Sequence, residues 1–348
     1  MKEVFDKVSE ALNKSLQDAD FGIKVHFSDK RYSSFDFSRE NFNEINKSDF
    51  NPDKKIAFLD GGNAEIISAS NFSLSFIRIY YCIYKNNKRT ASKTFEFFVL
   101  ATSIKRNDEI YFEASVFGRD SFLVDPALLN FSSMDGTIRT GIHRALISKV
   151  GDSARRFAEL NAAKLIADEK LADIIILDGT LQSSVTNESK YLENLYLAAK
   201  HNNVLVAALA KTSGLFTDTA FPPQVALQRI CPFSKEWFYF PVVEINHSDH
   251  KADVYFLKLH EKSEYFFRFE VYKEQKHDMN EISALLVLNS SDPVFFGYPY
   301  GLIEADQFAR VSNEEAASLK MQFIAKAGKD ISLFLKTKDA HNVLDRIG

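Results

Sequence analysis

Three short runs of apolar residues constrain the fold of this chain more than any other feature. They occupy residues 56–59, 174–177 and 204–210, and the first two are followed directly by Asp-Gly. Segments with helical periodicity, at about 141–170 and 189–200, separate the three runs. Strands that are apolar on both faces and alternate with helices are typical of parallel pairing through right-handed crossovers. The middle of the chain therefore predicts an α/β fold.

Segments dense in β-branched and aromatic side chains predict antiparallel strands in two groups. The first group follows the first apolar run in meander order, and the second group follows Pro222-Pro223. The predicted strands lie at 72–84, 95–103, 110–117, 237–245, 254–259 and 266–272. The second group is expected to form an antiparallel β excursion from the α/β core.

Helical patterns are also predicted at both ends of the chain. An amphipathic helix is predicted near the N-terminus, with an apolar face that must pack on something. We expect it to pack on its own domain, and a partner or dimer contact is the alternative. Residues 22–53 are expected to be irregular, and the helix at 141–170 is expected to break at Gly151-Asp152-Ser153. The face comprises Val4, Phe5, Val8, Leu12 and Leu16, and the C-terminal helices are predicted at 279–288, 301–310, 313–326 and near Ala340.

The order of the predicted elements indicates one compact α/β body with insertions rather than two separable domains. The chain has 348 residues, of which 45% are hydrophobic and 26% are charged, and this balance excludes a disordered or fibrous protein. We expect a helical and irregular segment at 1–50, a core at 51–215, the β excursion at 236–275 and a helical part at 278–348. Lys and Arg number 43 against 47 acidic residues, a net charge of −4. Any nucleic-acid site must therefore be a local groove.

The two cysteines, Cys82 and Cys231, exclude a disulfide framework and a cysteine-rich zinc site. The N-terminus carries acids and lacks the apolar core of a secretory signal. No apolar run has the length that a membrane span requires. We therefore expect a cytoplasmic protein with no membrane contact.

Asp60 and Asp178 are the strongest candidates for chemistry. Each follows a buried strand and precedes a glycine, at the edge of the sheet where open α/β folds bind ligands. If the two strands are neighbours, the carboxylates repel each other unless a divalent cation neutralises them. Hard oxygen ligands favour Mg²⁺ or Mn²⁺ over zinc. The alternative is ordinary turn chemistry, since Asp-Gly is common where a strand ends.

Four blocks of residues, spread over about 50–325, together resemble the NurA nuclease family. The blocks are the first strand with Asp60-Gly61-Gly62, a helix with Arg156 and Glu159, the strand with Asp178-Gly179-Thr180, and Gly297-Tyr298-Pro299-Tyr300 with Glu304-Ala305-Asp306. The resemblance implies a ribonuclease-H-like mixed sheet flanked by helices. It also implies Mn²⁺-dependent DNA endonuclease and 5′-to-3′ exonuclease activity, a homodimer, and DNA end resection beside a HerA-type hexameric ATPase.

The resemblance further implies the residues of the site. Asp60, Glu159, Asp178 and Asp306 correspond to metal-binding acids, and Tyr298 belongs to the C-terminal motif. Asp306 stands where the family accepts Asp or His. Two divalent ions, Mn²⁺ or Mg²⁺, suit phosphodiester hydrolysis and need several carboxylates, with Asp60 as the expected bridging ligand.

Several other residues are weaker candidates. Tyr298 lies in a rigid turn and either holds its phenol against the scissile phosphate or packs as a core aromatic. A second set of side chains is predicted to contact DNA phosphates or to occupy solvated surface, whereas His247 and His250 are expected at the surface, in a polar turn. The candidate DNA contacts are Arg139, His143, Arg144, Arg156 and Lys211.

Two other functions fit parts of the pattern. Actin-like and sugar-kinase-like phosphotransferases also use Asp-Gly turns to bind Mg-ATP, but the last third of this chain is poor in glycine. A non-catalytic dimeric adaptor of a DNA-translocating ATPase would keep the fold without the chemistry. The full set of acidic positions favours the metal-dependent nuclease over both.

Overall fold

A computed structural model describes residues 1–17, 19–212 and 214–327, so the helix predicted near Ala340 lies outside the described residues. The helices are α1 (Lys2–Gln17), α2 (Lys149–Asp168), α3 (Glu188–Asn202), α4 (Pro223–Ile230), α5 (Met279–Asn289), α6 (Tyr300–Ala309) and α7 (Asn313–Lys326). The strands are β1 (Val25–His26), β2 (Tyr32–Ser34), β3 (Phe42–Glu44), β4 (Lys55–Ala69), β5 (Phe72–Lys85), β6 (Lys88–Arg106), β7 (Glu109–Phe117), β8 (Phe131–Ser132), β9 (Ile174–Asp178), β10 (Leu205–Ala210), β11 (Phe216–Thr217), β12 (Trp237–Tyr239), β13 (Val243–Ile245), β14 (Ala252–Lys258) and β15 (Phe267–Tyr272).

One mixed sheet of eleven strands organises the molecule, in the order β3-β12-β14-β15-β10-β9-β4-β5-β6-β7-β8. β9 pairs in parallel with both β4 and β10, and α2 and α3 provide the helical crossovers. β4 to β7 form the predicted antiparallel meander. The central order β6-β5-β4-β9-β10 is the ribonuclease-H-like arrangement that the sequence predicts. β14 and β15 add the antiparallel excursion beside β10.

The sheet carries a hydrophobic core on each face. Ala57, Leu59 and Leu177 pack with α2 and α3 on one face, which we call the α2 face. Phe58 and Ile176 pack with α5 and α6 on the other face, the α6 face. Because side chains alternate along a strand, neighbouring residues of β4 and β9 belong to opposite faces. This alternation decides which residues can meet at the candidate site.

The Asp-Gly-Gly sequence predicts that the first apolar strand ends at Asp60, but the strand continues past this residue. Its pairing with β9 ends at Leu59, but its pairing with β5 continues to Ala69. The two glycines stay in the strand because other elements take the space of their side chains. A Cβ at Gly62 would collide with the carbonyl oxygen of Ala309 in α6.

The helix before β9 is shorter than predicted and has no break. α2 begins at Lys149, so residues 141–148 lie in a loop, and Gly151 lies inside the helix. A Cβ at Gly151 would collide with the Oγ of Ser75 in β5. The glycine therefore marks the close approach of α2 to the sheet rather than an interruption.

Other departures from the prediction occur where short elements depend on distant partners. The predicted strand at 237–245 is two strands: β12 joins the large sheet between β3 and β14, whereas β13 pairs with β2. The segment predicted to be irregular contains β1, β2 and β3, and α4 follows Pro222. These strands have only two or three residues, so their pairing is set by contacts far along the chain rather than by local pattern.

The expectation that α1 packs on its own domain is wrong for the described residues. Its apolar side chains, from Val4 to Leu16, are exposed by 45% to 62%. None of the helices in the described ranges combines the length and apolar character that a membrane crossing requires.

Candidate metal centre

Asp60 and Asp178 emerge side by side from two parallel strands. Leu59 of β4 lies opposite Leu177 of β9, and each aspartate is the next residue of its strand. Alternation places both carboxylates on the α6 face. β9 ends at Asp178 because Gly179, at φ +107°, turns the chain out of the sheet. Two carboxylates thus meet at the carboxyl end of the parallel strands.

Helix α6 brings a third carboxylate to this position. Asp60, Asp178 and Asp306 each offer one oxygen, and these oxygens lie within 4.8 Å of one another. Lys211, which follows β10, places its Nζ 2.7 Å from Asp178 Oδ2 and 2.6 Å from Asp306 Oδ1. Two of the three carboxylates therefore share one lysine cation.

Charge and burial perturb the acids of this cluster. Burial, with the negative charges of Glu159 and Asp178, raises the pKa of Asp60 to about 8. A hydrogen bond from the Gly61 N–H, 2.7 Å to Asp60 Oδ1, and the charge of Lys211 act in the opposite direction. Burial alone would lower the pKa of Lys211, but its bonds to Asp178 and Asp306 raise it. Without a further cation, Asp60 thus keeps a proton at neutral pH.

The buried hydroxyl of Tyr298 lies within electrostatic reach of the same cluster. Its side chain is 4% exposed, and its hydroxyl oxygen has no hydrogen-bond partner among the described residues. Burial raises the pKa of Tyr298 well above its ordinary value, and the charges of Asp178, Asp60 and Asp306 raise it further. Its phenol stays protonated and is available as a hydrogen-bond donor. An unpaired buried hydroxyl is costly in a fold, and a ligand at the acidic cluster would satisfy it.

Glu159 lies outside the three-carboxylate cluster, on the α2 face. It is buried on α2, where it pairs with the Nη1 of Arg155 and, at 3.4 Å, with the Nη1 of Arg156. A Cβ at Gly61 would lie 2.6 Å from Glu159 Oε1, so the glycine opens the strand to this carboxylate. Glu159 therefore approaches Asp60 from the opposite side of β4.

The candidate DNA-binding residues lie in different parts of the structure. Arg139 and Arg156 line an open cavity of about 510 Å³ that also reaches Asp178. Arg156 is held there by Glu188, with Nε 2.7 Å from Glu188 Oε1, and by the carbonyl of Thr180.

Lys211 lies at the acidic cluster itself, whereas the other two candidates lie elsewhere. His143 is exposed in the loop before α2. Arg144 donates to Ser133 Oγ at 2.9 Å and lines a separate cavity of about 890 Å³. The structure thus brings Arg139, Arg156 and Lys211 near Asp178.

The structure also contains a buried network that the sequence did not predict. His250 is 1% exposed, so its assignment to the surface is wrong. Its Nε2 lies 3.1 Å from Glu270 Oε2, and its Nδ1 lies 3.0 Å from the hydroxyl of Tyr32. Glu270 Oε2 also accepts the N–H of Leu181 at 2.7 Å. This network fixes the chain just after Asp178, and no local sequence signal could reveal it, because its members come from segments far apart.

The donor set fits a divalent ion that prefers oxygen ligands. Asp60, Asp178 and Asp306 supply carboxylate oxygens within reach of one ion, as Mg²⁺ and Mn²⁺ require. Burial and the nearby carboxylates raise the pKa of Asp60, and a cation bound at the cluster would favour its ionised form. The unpartnered hydroxyl of Tyr298 is a second sign of a missing ligand.

This protein has a ribonuclease-H-like sheet with carboxylates clustered at the ends of its parallel strands. That combination defines a class of proteins whose acidic sites suit divalent metal ions. Within that class, residues 54–311 match the model of the NurA domain. The chain belongs to the NurA nuclease family, which confirms the family that the sequence predicted.

Comparison with solved structures found similar overall architectures at low identity. The NurA nuclease from Sulfolobus solfataricus is 14% identical, with 94% of this chain and 97% of that chain covered and a TM-score of 0.49. Endonuclease V from Ciona intestinalis, in a complex with DNA, is 10% identical, with 89% and 97% covered and a TM-score of 0.38. The catalytic domain of human Endonuclease V is 10% identical, with 89% and 95% covered and a TM-score of 0.40. Comparison with curated protein sequences returned no match.

Proposed function

We propose that this chain is a DNA nuclease that hydrolyses phosphodiester bonds with divalent metal ions held by Asp60, Asp178 and Asp306. One observation carries the proposal: three carboxylates from distant segments meet within 4.8 Å in a chain of the NurA family. Carboxylates so close repel each other unless one takes up a proton or added positive charge neutralises them. We propose Mn²⁺ as the ion, with Mg²⁺ as a substitute, and two ions in the working site.

The residues around the cluster support this chemistry. Bound ions would supply the positive charge that phosphodiester hydrolysis needs. Lys211 already lies against Asp178 and Asp306, and when ions take its place its ammonium is free to bind a phosphate oxygen. The protonated phenol of Tyr298 donates a hydrogen bond into the same space. Glu159, on the other side of Gly61, is the fourth carboxylate for a second ion.

The cavity of about 510 Å³ beside Asp178 offers space for the sugar-phosphate backbone of a DNA substrate. Arg139, Lys149 and Arg155 line it together with Asp178. Cations along such a cavity bind phosphates without reading sequence. DNA phosphates in this cavity would lie next to Asp178 and Glu159.

Family membership supports the finer parts of the proposal. We propose single-stranded endonuclease and 5′-to-3′ exonuclease activity on single- and double-stranded DNA. We also propose a homodimer that works with a HerA-type hexameric ATPase in the resection of double-strand breaks, which would place the protein in the cytoplasm. Cross-linking with that ATPase and sizing of the free protein test these two assemblies.

The nuclease assignment is tested with the full chain and end-labelled single- and double-stranded DNA. We expect cleavage with Mn²⁺, weaker cleavage with Mg²⁺ and none with EDTA. Asp178→Asn should remove cleavage while the protein remains folded, and Asp173→Asn, which changes an aspartate at the opposite end of β9, should retain it. Metal-dependent ATP hydrolysis without DNA cleavage would contradict the proposal and favour the phosphotransferase alternative.

A further inference from the structure

A buried glutamate on α6 lies close to the acidic cluster without belonging to it. Glu304 is 5% exposed and precedes Asp306 by two residues. Its Oε1 accepts the hydroxyl of Tyr80 at 2.6 Å and the Nη1 of Arg89 at 2.8 Å. Its Oε2 accepts the hydroxyl of Tyr84 at 2.6 Å. Three donors thus hold one carboxylate beneath the helix.

Glu304 is not itself a ligand of the acidic cluster. Residues two apart in an α-helix point about 200° away from each other around the axis. Asp306 points toward Lys211, whereas Glu304 points to the sheet, where both of its oxygens are occupied. The two acids therefore serve different sides of α6.

The contacts of Glu304 connect α6 to the strand position of Asp60. Tyr80 of β5 is the direct cross-strand partner of Asp60 in β4. Paired residues of neighbouring antiparallel strands share a face and lie close together. A hydrogen bond from Tyr80 to Glu304 consequently ties the helix that carries Asp306 to the residue beside Asp60.

Helix α6 is closely packed at both of its ends. At its start, a Cβ on Gly301 would collide with the ring of Phe58. At its end, Phe308 stacks on Tyr80 with ring centroids 5.0 Å apart. Between these points, Glu304 supplies a charged contact from the helix to β5 and β6.

We infer that Glu304 is a positioning residue that sets Asp306 against Asp60 and Asp178 and thereby sets the affinity of the cluster for divalent ions. This inference rests on the proposed function, because it takes the three aspartates as metal ligands. Residues behind metal ligands typically change metal affinity by about 10- to 100-fold when they are replaced.

The test measures Mn²⁺ binding to the full-length protein by electron paramagnetic resonance of free Mn²⁺, without DNA. Glu304→Gln should weaken binding by about 10- to 100-fold, and Tyr84→Phe should weaken it by about fivefold. The matched control is Glu236→Gln, which alters another buried glutamate; this one is paired with Lys47 and lies beside β12, away from the cluster. It should leave Mn²⁺ affinity unchanged.

A second readout separates positioning from general stability. Saturating Mn²⁺ should restore most of the cleavage rate of Glu304→Gln, because the three ligands remain. Equal Mn²⁺ affinity in wild type, Glu304→Gln and Tyr84→Phe would overturn the inference and leave the nuclease proposal standing. If Glu304→Gln does not fold, unchanged affinity in Tyr84→Phe alone overturns it. A wild-type protein that binds no Mn²⁺ would overturn both proposals.

Discussion

The two faces of the sheet at Asp60 differ in how they balance charge. On the α6 face, Asp60, Asp178 and Asp306 lie together with the Lys211 cation beside them. Burial, followed by the negative charges of Glu159 and Asp178, raises the pKa of Asp60 to about 8. This face is therefore prepared to bind further cations.

The α2 face has already paired its charges. Glu159 and Glu188 meet Arg155 and Arg156 in buried ion pairs. Such a set keeps its geometry through mutual hydrogen bonds. The acidic residues near β4 therefore divide into three aspartates beside one lysine and an arginine-paired group that includes Glu159, the proposed ligand of a second ion. Single substitutions on each face can test this division.

Replacement of Asp60 should have the largest effect. We expect Asp60→Asn to bind no Mn²⁺ tightly and to reduce DNA cleavage to the background of the assay, because Asp60 lies at the centre of both groups of charges. Titration of Mn²⁺ by calorimetry and a cleavage assay measure the two losses. The metal-free variant should unfold at or above the wild-type temperature at neutral pH, since its folding no longer requires protonation of a buried carboxylate.

The same residue predicts the pH dependence of metal binding. Below its pKa of about 8, Asp60 is protonated, and an ion must displace that proton. Wild-type affinity for Mn²⁺ should therefore rise by about tenfold for each pH unit as the pH approaches 8 from below. Proton release by the wild type, measured in buffers of different ionisation enthalpy, should approach one proton per bound Mn²⁺ well below pH 8 and disappear well above it. A wild-type affinity that does not change with pH would contradict the raised pKa.

Tyr298→Phe tests the role of the uncharged Tyr298 hydroxyl on the α6 face. Loss of the phenol donor should reduce kcat by about 10²-fold, while Mn²⁺ affinity stays within about twofold of wild type, because no carboxylate is removed. Stability should remain equal or rise by about 1 kcal/mol, since the hydroxyl has no partner in the metal-free fold. A variant that loses stability and keeps its rate would make Tyr298 a core aromatic.

Glu159→Gln probes the contribution of the α2 face. We expect about a tenfold loss of cleavage with tight binding of one Mn²⁺ retained, because the three aspartates remain intact. Stoichiometry from calorimetry should fall from two ions to one. Glu188→Gln is the matched control: it also breaks a buried pair with Arg156, but it should keep two ions. Loss of all metal binding in Glu159→Gln would contradict the separate roles of the two faces.

Lys211→Met should have the smallest effect on metal binding and the opposite sign. Removal of the resident cation should tighten Mn²⁺ binding by about threefold, a modest change because the ammonium is partly exposed. KM for DNA should rise, since a phosphate contact is lost. Weaker Mn²⁺ binding in this variant would show that Lys211 does not compete for the carboxylates.

The sequence predicted the parts of the site that have local signals. Asp60 and Asp178 follow apolar runs, so the strands and their shared edge could be inferred from those runs alone. The position of α6 on the sheet could not be inferred from a local pattern. It depends on the hydrogen bonds of Glu304 with Tyr80 and Tyr84, which are more than two hundred residues away.

The errors have the same physical origin. Gly61 and Gly151 have the local pattern of chain breaks, but each makes room for a neighbouring element, Glu159 in one case and Ser75 in the other. The polar neighbours of His250 predict a surface position, whereas its buried partner Glu270 lies in another strand. Local pattern identifies strands and candidate acids, and tertiary packing decides which side chains meet.

The most direct test of the metal centre is a crystal structure of the protein with Mn²⁺, measured at wavelengths on either side of the manganese absorption edge. We predict an anomalous peak bound by carboxylate oxygens of Asp60, Asp178 and Asp306, with Lys211 displaced from Asp178. A peak elsewhere, or fully loaded crystals in which Lys211 still bridges Asp178 and Asp306, would contradict the division of charge between the two faces.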